Sequence, residues 1–410
     1  MTVYYFDGIA VSPDHPQWLQ TLERAHEQGV HPLCGCIAGA AKPALYIAKY
    51  RLGYYLKRMP LTASHHAARC EHYEPPMALS GLGHVHGSAI KEDAKSDFTL
   101  LNLDYALTKG AARGPVVHED TENESVRADG AKLTLRGTLH HLYDKAGLSQ
   151  WYPAMAGKRS WFIVRRELMN AAAGSKAKGS ALNDLLFIPE SFSQAHAQEI
   201  ADRRVKQLAR LNGDTRNKML VVGEVKTLAP GYNGFRLTFR HLATDAFRLS
   251  PELHTRLQKL FAPQLAMWAE LEHTHLLLIG VFAKLTSGIF DLESVCLMNV
   301  NQHWIPFDSQ YTYQLLTALH TTARPFRKSL RYNLKSTIPL ATATLLDTGE
   351  HATALYVHAS AQREAHAADA AALLADNKIP AWFWETDTEA LPALPPAVSS
   401  RAQPRPTAAD

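Results

Sequence analysis

The chain has 410 residues, of which 46% are hydrophobic and 20% charged, and its net charge is +4. That balance belongs to a soluble globular protein of two or three ordinary domains and excludes a disordered or fibrous chain. The longest apolar run, from His275 to Leu285, is interrupted by Lys284 and is too short to cross a bilayer. The opening Met1-Thr-Val-Tyr-Tyr-Phe-Asp7 lacks the basic start and apolar stretch of a signal peptide. The expectation is therefore a cytoplasmic protein with no membrane partner and with its four cysteines reduced. A pI near 8.7 permits a nucleic-acid partner without requiring one.

Residues 1–78 are rich in aromatics, histidines and cysteines. Cys34, Cys36 and Cys70 fall in one short segment beside His65, His66 and His72. The intervening run Pro43–Met59 reads as two short strands around a turn at Arg51–Gly53. Such a hairpin returns the Cys-x-Cys knuckle to the His-His-x-x-x-Cys segment. If that segment starts a helix, His66 and Cys70 share one face. Cys34, Cys36, His66 and Cys70 then supply the four soft or borderline ligands of a closed, structural zinc site. His72 is a rival fourth ligand, because Cys-x-Cys followed by Cys-x-His is the order of the SWIM zinc domain, here with a longer spacer. His65 is a third choice. No His-Glu-x-x-His pattern marks an open, catalytic site.

Residues 79–132 read as an irregular linker, with Gly110–Pro115 and the acidic run Glu119–Glu124 as loop. Residues 133–305 mix helix and strand patterns. Leu135, Leu139 and Leu142 form the stripe of one amphipathic helix, and Trp161, Val164 and Leu168 that of a second. Lys158, Arg159, Arg165 and Arg166 lie off the second stripe, giving a layout similar to helix-turn-helix with a longer connection. Arg203–Arg210 reads as a helix with a charged outer side. Glu224-Val-Lys226, on a strand-like run, matches the Glu-x-Lys of metal-dependent nucleases with Asp214 as the nearest preceding acid, but reads more simply as a solvent-facing pair. Cys296 reads as a small buried hydrophobe. His84, His86, His140 and His141 read as surface or core residues, and no Walker or nucleophile-elbow motif occurs.

Residues 306–387 show helix, strands, helix and strand: Ser309–Thr322, Ala341–Leu346, Ala354–His358, Gln362–Asn377 and Ala381–Trp384. Before the strands comes Arg324–Lys335, with no acidic residue and with Phe326 and Tyr332 between Arg327, Lys328 and Arg331. Cations interleaved with aromatics suit phosphate neutralisation and base stacking. The element order is similar to the PD-(D/E)XK restriction-endonuclease-like core. Its carboxylates are replaced, however, by Ala341 on one strand and by Tyr356-Val-His358 on the next. Residues 388–410 are Pro/Ala-rich and read as a disordered tail.

Several strings occur together: His31-Pro-Leu-Cys-Gly-Cys36, Tyr55-Leu-Lys-Arg-Met-Pro60, Tyr73-Glu-Pro-Pro76, Leu79-Ser-Gly-Leu-Gly83, Ala156-Gly-Lys-Arg-Ser-Trp161 and Leu330-Arg-Tyr-Asn-Leu334. In this combination the chain resembles the bacterial family called domain of unknown function 1173, over nearly all its length except the tail. The resemblance implies a protein carried on plasmids and integrative conjugative elements, and it implies no activity. It also favours His66 over His72, whose position in that family is often another residue. The expectation is an α+β multi-domain protein: a zinc-stabilised hairpin module, a mixed middle, and a restriction-endonuclease-like domain with a degraded site. Its function would be that of a nucleic-acid-binding accessory protein of a mobile element, with DNA as partner and RNA open. A Mg²⁺-dependent nuclease using Glu224 or Asp347 is the enzymatic alternative. A module docking a protein of the conjugation or replication machinery is the third.

Overall fold

The computed structural model describes residues 3–398 apart from 38, 40, 51–52, 60–61, 93–97, 109–129, 214–216, 232 and 350. The expected loops Gly110–Pro115 and Glu119–Glu124, and Asp214, lie outside the described residues. The fold is mixed α/β, with ten α-helices among the described residues. Contacts divide the chain into two compact units, Met1–Leu79 with Ala343–Asp410, and Ser80–Thr342. The expected domain 306–387 is thus divided between them, because its helix and basic strand pack with the middle of the chain.

In the first unit, Tyr4–Phe6 pairs antiparallel with both Ile9–Val11 and Leu33–Cys34. Trp18, at the start of the helix Trp18–Glu27, contacts the rings of Tyr4 and Phe6. The anticipated hairpin is Leu45–Tyr50 against Gly53–Arg58, in register from Leu45↔Arg58 to Tyr50↔Gly53. Near the C-terminus, Ala343–Leu345 runs antiparallel to Thr353–His358. That strand is parallel to Ala381–Glu385 through the helix Arg363–Asn377. Parallel pairing requires such a crossover, and Lys378, at φ +56°, ends the helix in the left-handed conformation. The expectation of a disordered tail is corrected for 388–398. Trp382 and Trp384 donate their indole N–H groups to the carbonyls of Ala393 and Glu389 (3.0 and 3.1 Å), and Val398 N–H donates to Asp347 O at 2.8 Å. Residues 399–410 lie outside the described residues.

The second unit is organised by one long strand, Lys218–Gly231. Its first half pairs antiparallel with His275–Lys284, from Lys218↔Ala283 to Glu224↔Leu277. Its second half pairs antiparallel with Gly234–Phe239, from Val225↔Phe239 to Gly231↔Gly234. A register shift between Val225 and Thr227 separates the halves, and a bulge of this kind bends a strand from one partner to the next. Gly234–Phe239 pairs antiparallel with Leu242–Leu249, which lies parallel to Phe290–Val300, which returns antiparallel to His275–Lys284. The circuit closes into a five-stranded barrel. Helices Pro251–Leu260 and Ala262–Glu270 connect its third and fourth strands.

Both faces of Met219–Val222 are covered. Met219 and Val221 join Phe239, Phe247, Leu278 and Phe282 in one core, while Leu220 and Val222 join Leu139, Val164 and Leu168 in the other. A strand buried on two sides loses polar alternation and becomes a continuous apolar run. Gly223 has no substitute here, since a Cβ would stand 2.4 Å from the Phe239 ring.

The two expected amphipathic helices are Leu135–Lys145 and Trp161–Ala173. Between them come a short strand, Gln150–Trp151, and a turn, Pro153–Met155, so the connection is not the tight turn of a helix-turn-helix. Arg159 sits in that connection. Its guanidinium donates to the carbonyls of Gly147, Leu148, Gln150 and His303, and burial pushes it down to about 10. Arg159→Met should destabilise the protein by about 3 kcal/mol, because four carbonyls lose charge-assisted donors. Urea unfolding measures this; a loss below about 0.5 kcal/mol would mean that the carbonyls find water instead.

Candidate metal centre

Cys34 lies on the strand Leu33–Cys34, opposite Tyr4, and its N–H donates to Pro43 O at 2.8 Å. Gly35 allows the knuckle to turn, because a Cβ there would stand 2.6 Å from Val3 O. The hairpin then carries the chain away and back. Ala63–His65 forms a single 3₁₀ turn, and His66 follows in extended conformation. Cys70 N–H closes onto Ala67 O at 2.8 Å. The expected helix over His66–Cys70 is therefore replaced by turns, which bring the two residues together by a different route.

The ligand atoms of Cys34, Cys36, His66 and Cys70 all lie within 4.8 Å of one another, the one such group among the described residues. Cys34 Sγ is 3.6 Å from Cys70 Sγ, and His66 Nδ1 is 3.5 Å from Cys36 Sγ and 3.6 Å from Cys70 Sγ. Tetrahedral bonds of about 2.3 Å to sulfur and 2.0 Å to nitrogen space donor atoms by roughly 3.5–3.8 Å. The cluster can therefore hold one metal ion. Ala67 N–H donates to Cys36 Sγ and His72 N–H to Cys70 Sγ, both at 3.4 Å; amides that stabilise thiolates in this way orient and tune a metal's ligands. Hydrogen bonding from Cys34 holds the Cys36 thiol far below its usual range, while the same contact pushes Cys34 up to about 12. Cys70 is pushed up by its neighbours Cys34 and Cys36 and by burial. Three sulfurs this close cannot all ionise without a cation between them.

The alternative fourth ligands are placed elsewhere. His65 is exposed. His72 turns its Nε2 to the Tyr4 hydroxyl at 3.1 Å, and that hydroxyl donates to Glu71. His66 is buried, and its Nε2 has no partner among the described residues.

With this geometry in view, the family can be stated. The model described as Protein of unknown function (DUF1173) matches residues 4–387. The chain belongs to DUF1173. No curated protein matches it. Among the described residues of this DUF1173 chain, no helix is long and apolar enough to cross a membrane.

The nine residues expected to contact nucleic acid do not form one surface. Lys158 and Arg166 are exposed, Arg166 against Glu167 at 2.6 Å. Arg159 is committed to carbonyls, and Arg165 donates to Ile188 O at 2.9 Å beside Glu190. The strand Phe326–Lys328 turns its ends inward: Phe326 is fully buried against Trp151, and Lys328 donates to Ser329 O at 2.9 Å. Arg327 faces Asp144 at 3.8 Å. Arg331 donates to the carbonyls of Lys335 and Ile338 (3.0 and 2.9 Å), and the Tyr332 hydroxyl to Asp144 Oδ2 at 2.7 Å. The stacking role expected for Phe326 and Tyr332 is corrected: both are core residues with no face for a base. Arg331 thus holds the irregular segment 335–338 by its backbone.

Glu224 is also corrected. It is 2% exposed rather than solvent-facing. Oε1 receives Arg240 Nε at 2.7 Å and lies 2.8 Å from His275 Nδ1; Oε2 is 3.5 Å from His241 Nε2. His275 stacks on Trp304 (4.1 Å) and His241 on Trp161 (5.2 Å). Burial alone would raise this carboxyl, but the bonds from His241 and His275 and the charges of His275 and Arg240 outweigh it and bring it down to about 2. Three cationic or imidazole partners already surround this buried carboxylate, where a metal ion would need open, negatively charged oxygens. Asp347 is buried, as are Ala341 and His358 at the positions where the nuclease core needs carboxylates. The sequence offered no cue to the histidines and tryptophans around Glu224, since all lie more than ten positions away.

His66→Ala or Cys70→Ser should abolish metal retention, whereas His72→Ala should weaken it by no more than roughly 10–100-fold, the range for an outer-shell substitution. Metal analysis after dialysis against a chelator separates these; loss on His72→Ala alone would reassign the fourth ligand. A lowered carboxyl pKa stabilises the fold above its ordinary value, and that stability is lost as pH falls towards about 2. Glu224→Gln should therefore cost roughly 2 kcal/mol at neutral pH, with the gap from the native chain closing between about pH 4.5 and about pH 2. A gap that stays constant over that range in urea titrations would show that the charge carries none of it.

Proposed function

We propose that this chain is a nucleic-acid-binding accessory protein of a bacterial mobile element, folded at its N-terminus around one structural zinc ion. The observation that carries the reading is the Cys34–Cys36–His66–Cys70 cluster and the charge of the segment it closes. Three cysteine sulfurs and an imidazole within 4.8 Å of one another, three of the pairs at 3.5–3.6 Å, are the donor set of structural zinc, and all four positions belong to the protein, so no site is left for substrate. From Gln28 to Cys70 the sequence contains six lysines and arginines and no aspartate or glutamate. The zinc would thus staple an acid-free, tyrosine-rich hairpin on which Lys49 is exposed and Tyr55 is 45% exposed. Cations and accessible aromatics on a rigid support suit phosphate and base contact.

In the same reading, the C-terminal strands and crossover helix are a restriction-endonuclease-like core that has lost its carboxylates and serves as scaffold. The enclosure of Glu224 argues against the nuclease alternative. Fluorescence anisotropy of the zinc-loaded protein with single-stranded and duplex DNA tests the proposal. Micromolar or tighter binding that weakens steeply with salt is the expected result. No binding at low salt would end the nucleic-acid reading and leave the zinc module as a docking element for a protein partner.

A further inference from the structure

The barrel built by residues 218–300 has a specific wiring. Its strands, numbered along the chain, neighbour one another in the circuit one, two, three, five, four and back to one. The third is parallel to the fifth, and helices join the third to the fourth. This is the wiring of the oligonucleotide- and oligosaccharide-binding barrel, whose ligand face is the second and third strands with the loops beside them. Wiring alone does not assign a ligand, so the outward side chains must decide.

On the outer face of the first three strands, Lys226 and Arg236 are exposed and have no partner among the described residues. Between them Thr227 and Thr238 pair across the strands with their hydroxyls 2.6 Å apart. Arg236 stands directly opposite Arg248. Like charges in that position repel, and only Arg248 is relieved, by Asp291 at 2.7 Å. Two acids of the same strands are already committed: Glu224 is enclosed, and Asp245 pairs with Arg204 at 3.2 Å. The turn between the fourth and fifth strands, closed by Leu285 N–H to Ile289 O at 2.9 Å, presents Ile289 46% exposed. The face therefore offers uncompensated cations and hydroxyls for phosphates beside an apolar group for an unstacked base.

We infer that this face binds single-stranded nucleic acid, with Lys226 and Arg236 on phosphates and Ile289 against a base. The inference rests on the nucleic-acid reading and names the strand form and the site. A single strand can follow a curved sheet and turn its bases onto it, whereas a duplex keeps them stacked inside.

The test is anisotropy of the full, zinc-loaded chain with a labelled oligothymidylate over a salt series, for the native chain and for Lys226→Glu/Arg236→Glu. Both side chains are exposed, and zinc content with unfolding midpoint checks the fold. The expected result is a loss of more than about tenfold, with the log–log salt slope shallower by about 1.4, two contacts at roughly 0.7 each. Lys226→Arg/Arg236→Lys should keep native binding. Ile289→Ser, which leaves the charges in place but removes apolar area a base would cover, should weaken binding roughly fivefold with the slope unchanged. Native binding that neither Lys226→Glu/Arg236→Glu nor Ile289→Ser weakens would overturn the barrel site and leave the nucleic-acid reading standing. Tighter binding of duplex than of oligothymidylate would overturn the single-strand assignment. Absence of binding by the native chain to any nucleic acid would overturn both.

Discussion

The second unit depends on a single bend. The ladder between Lys218–Gly231 and Gly234–Phe239 slips between Val225 and Thr227, next to the point where the pairing with His275–Lys284 ends. A bulge of this kind bends a strand and increases its twist, and the bend curls the sheet towards closure. With it, the sheet closes, Phe239 and Phe247 are enclosed, and Lys226 and Thr227 are turned outward. Glu224 is the last residue of the first ladder, where Arg240, His241 and His275 converge on it. The buried charge and the slip are neighbours in the chain, so the network that neutralises Glu224 also pins the point of bending.

Charge is used in two ways in this protein. Arg136, Arg159 and Arg331 donate to backbone carbonyls of irregular segments, where a planar guanidinium with several donors replaces the hydrogen bonds that a strand or helix would provide. Their removal would be felt as lost stability. Arg236 stands on a regular strand and Lys226 at the bulge, and neither side chain is spent on a backbone carbonyl among the described residues. Local basicity along the sequence selects the first group, because irregular segments held by arginine are locally rich in arginine. The second group is separated in sequence and assembled by pairing.

This explains what could be read from the sequence. The hairpin Leu45–Arg58 was legible because strand residues alternate around a glycine-containing turn, and the helices Leu135–Lys145 and Trp161–Ala173 because one stripe of each is apolar. Cys34, Cys36, His66 and Cys70 stand out because few other pressures gather such residues in a reduced chain. What joins them was not legible in detail, since turns rather than a helix place His66 beside Cys70. The barrel was hidden because Met219–Val222 is covered on both sides and carries no alternation. The surroundings of Glu224 were hidden because they come from distant positions. The two compact units were hidden because the chain leaves one at Leu79 and returns to it at Ala343, which no local pattern records.

The two-sided burial of Met219–Val222 has a kinetic consequence. Alternate residues in this stretch of the long strand are shared by the barrel interior and the helical layer. Exposing either core to water strips one face of this strand and so weakens its hold on the other. Sub-global opening of the kind that frees one layer of a layered protein is therefore suppressed in this unit. The amides of Leu220, Val221 and Val222 are the ones whose exchange with solvent reports the cooperative loss of the entire unit.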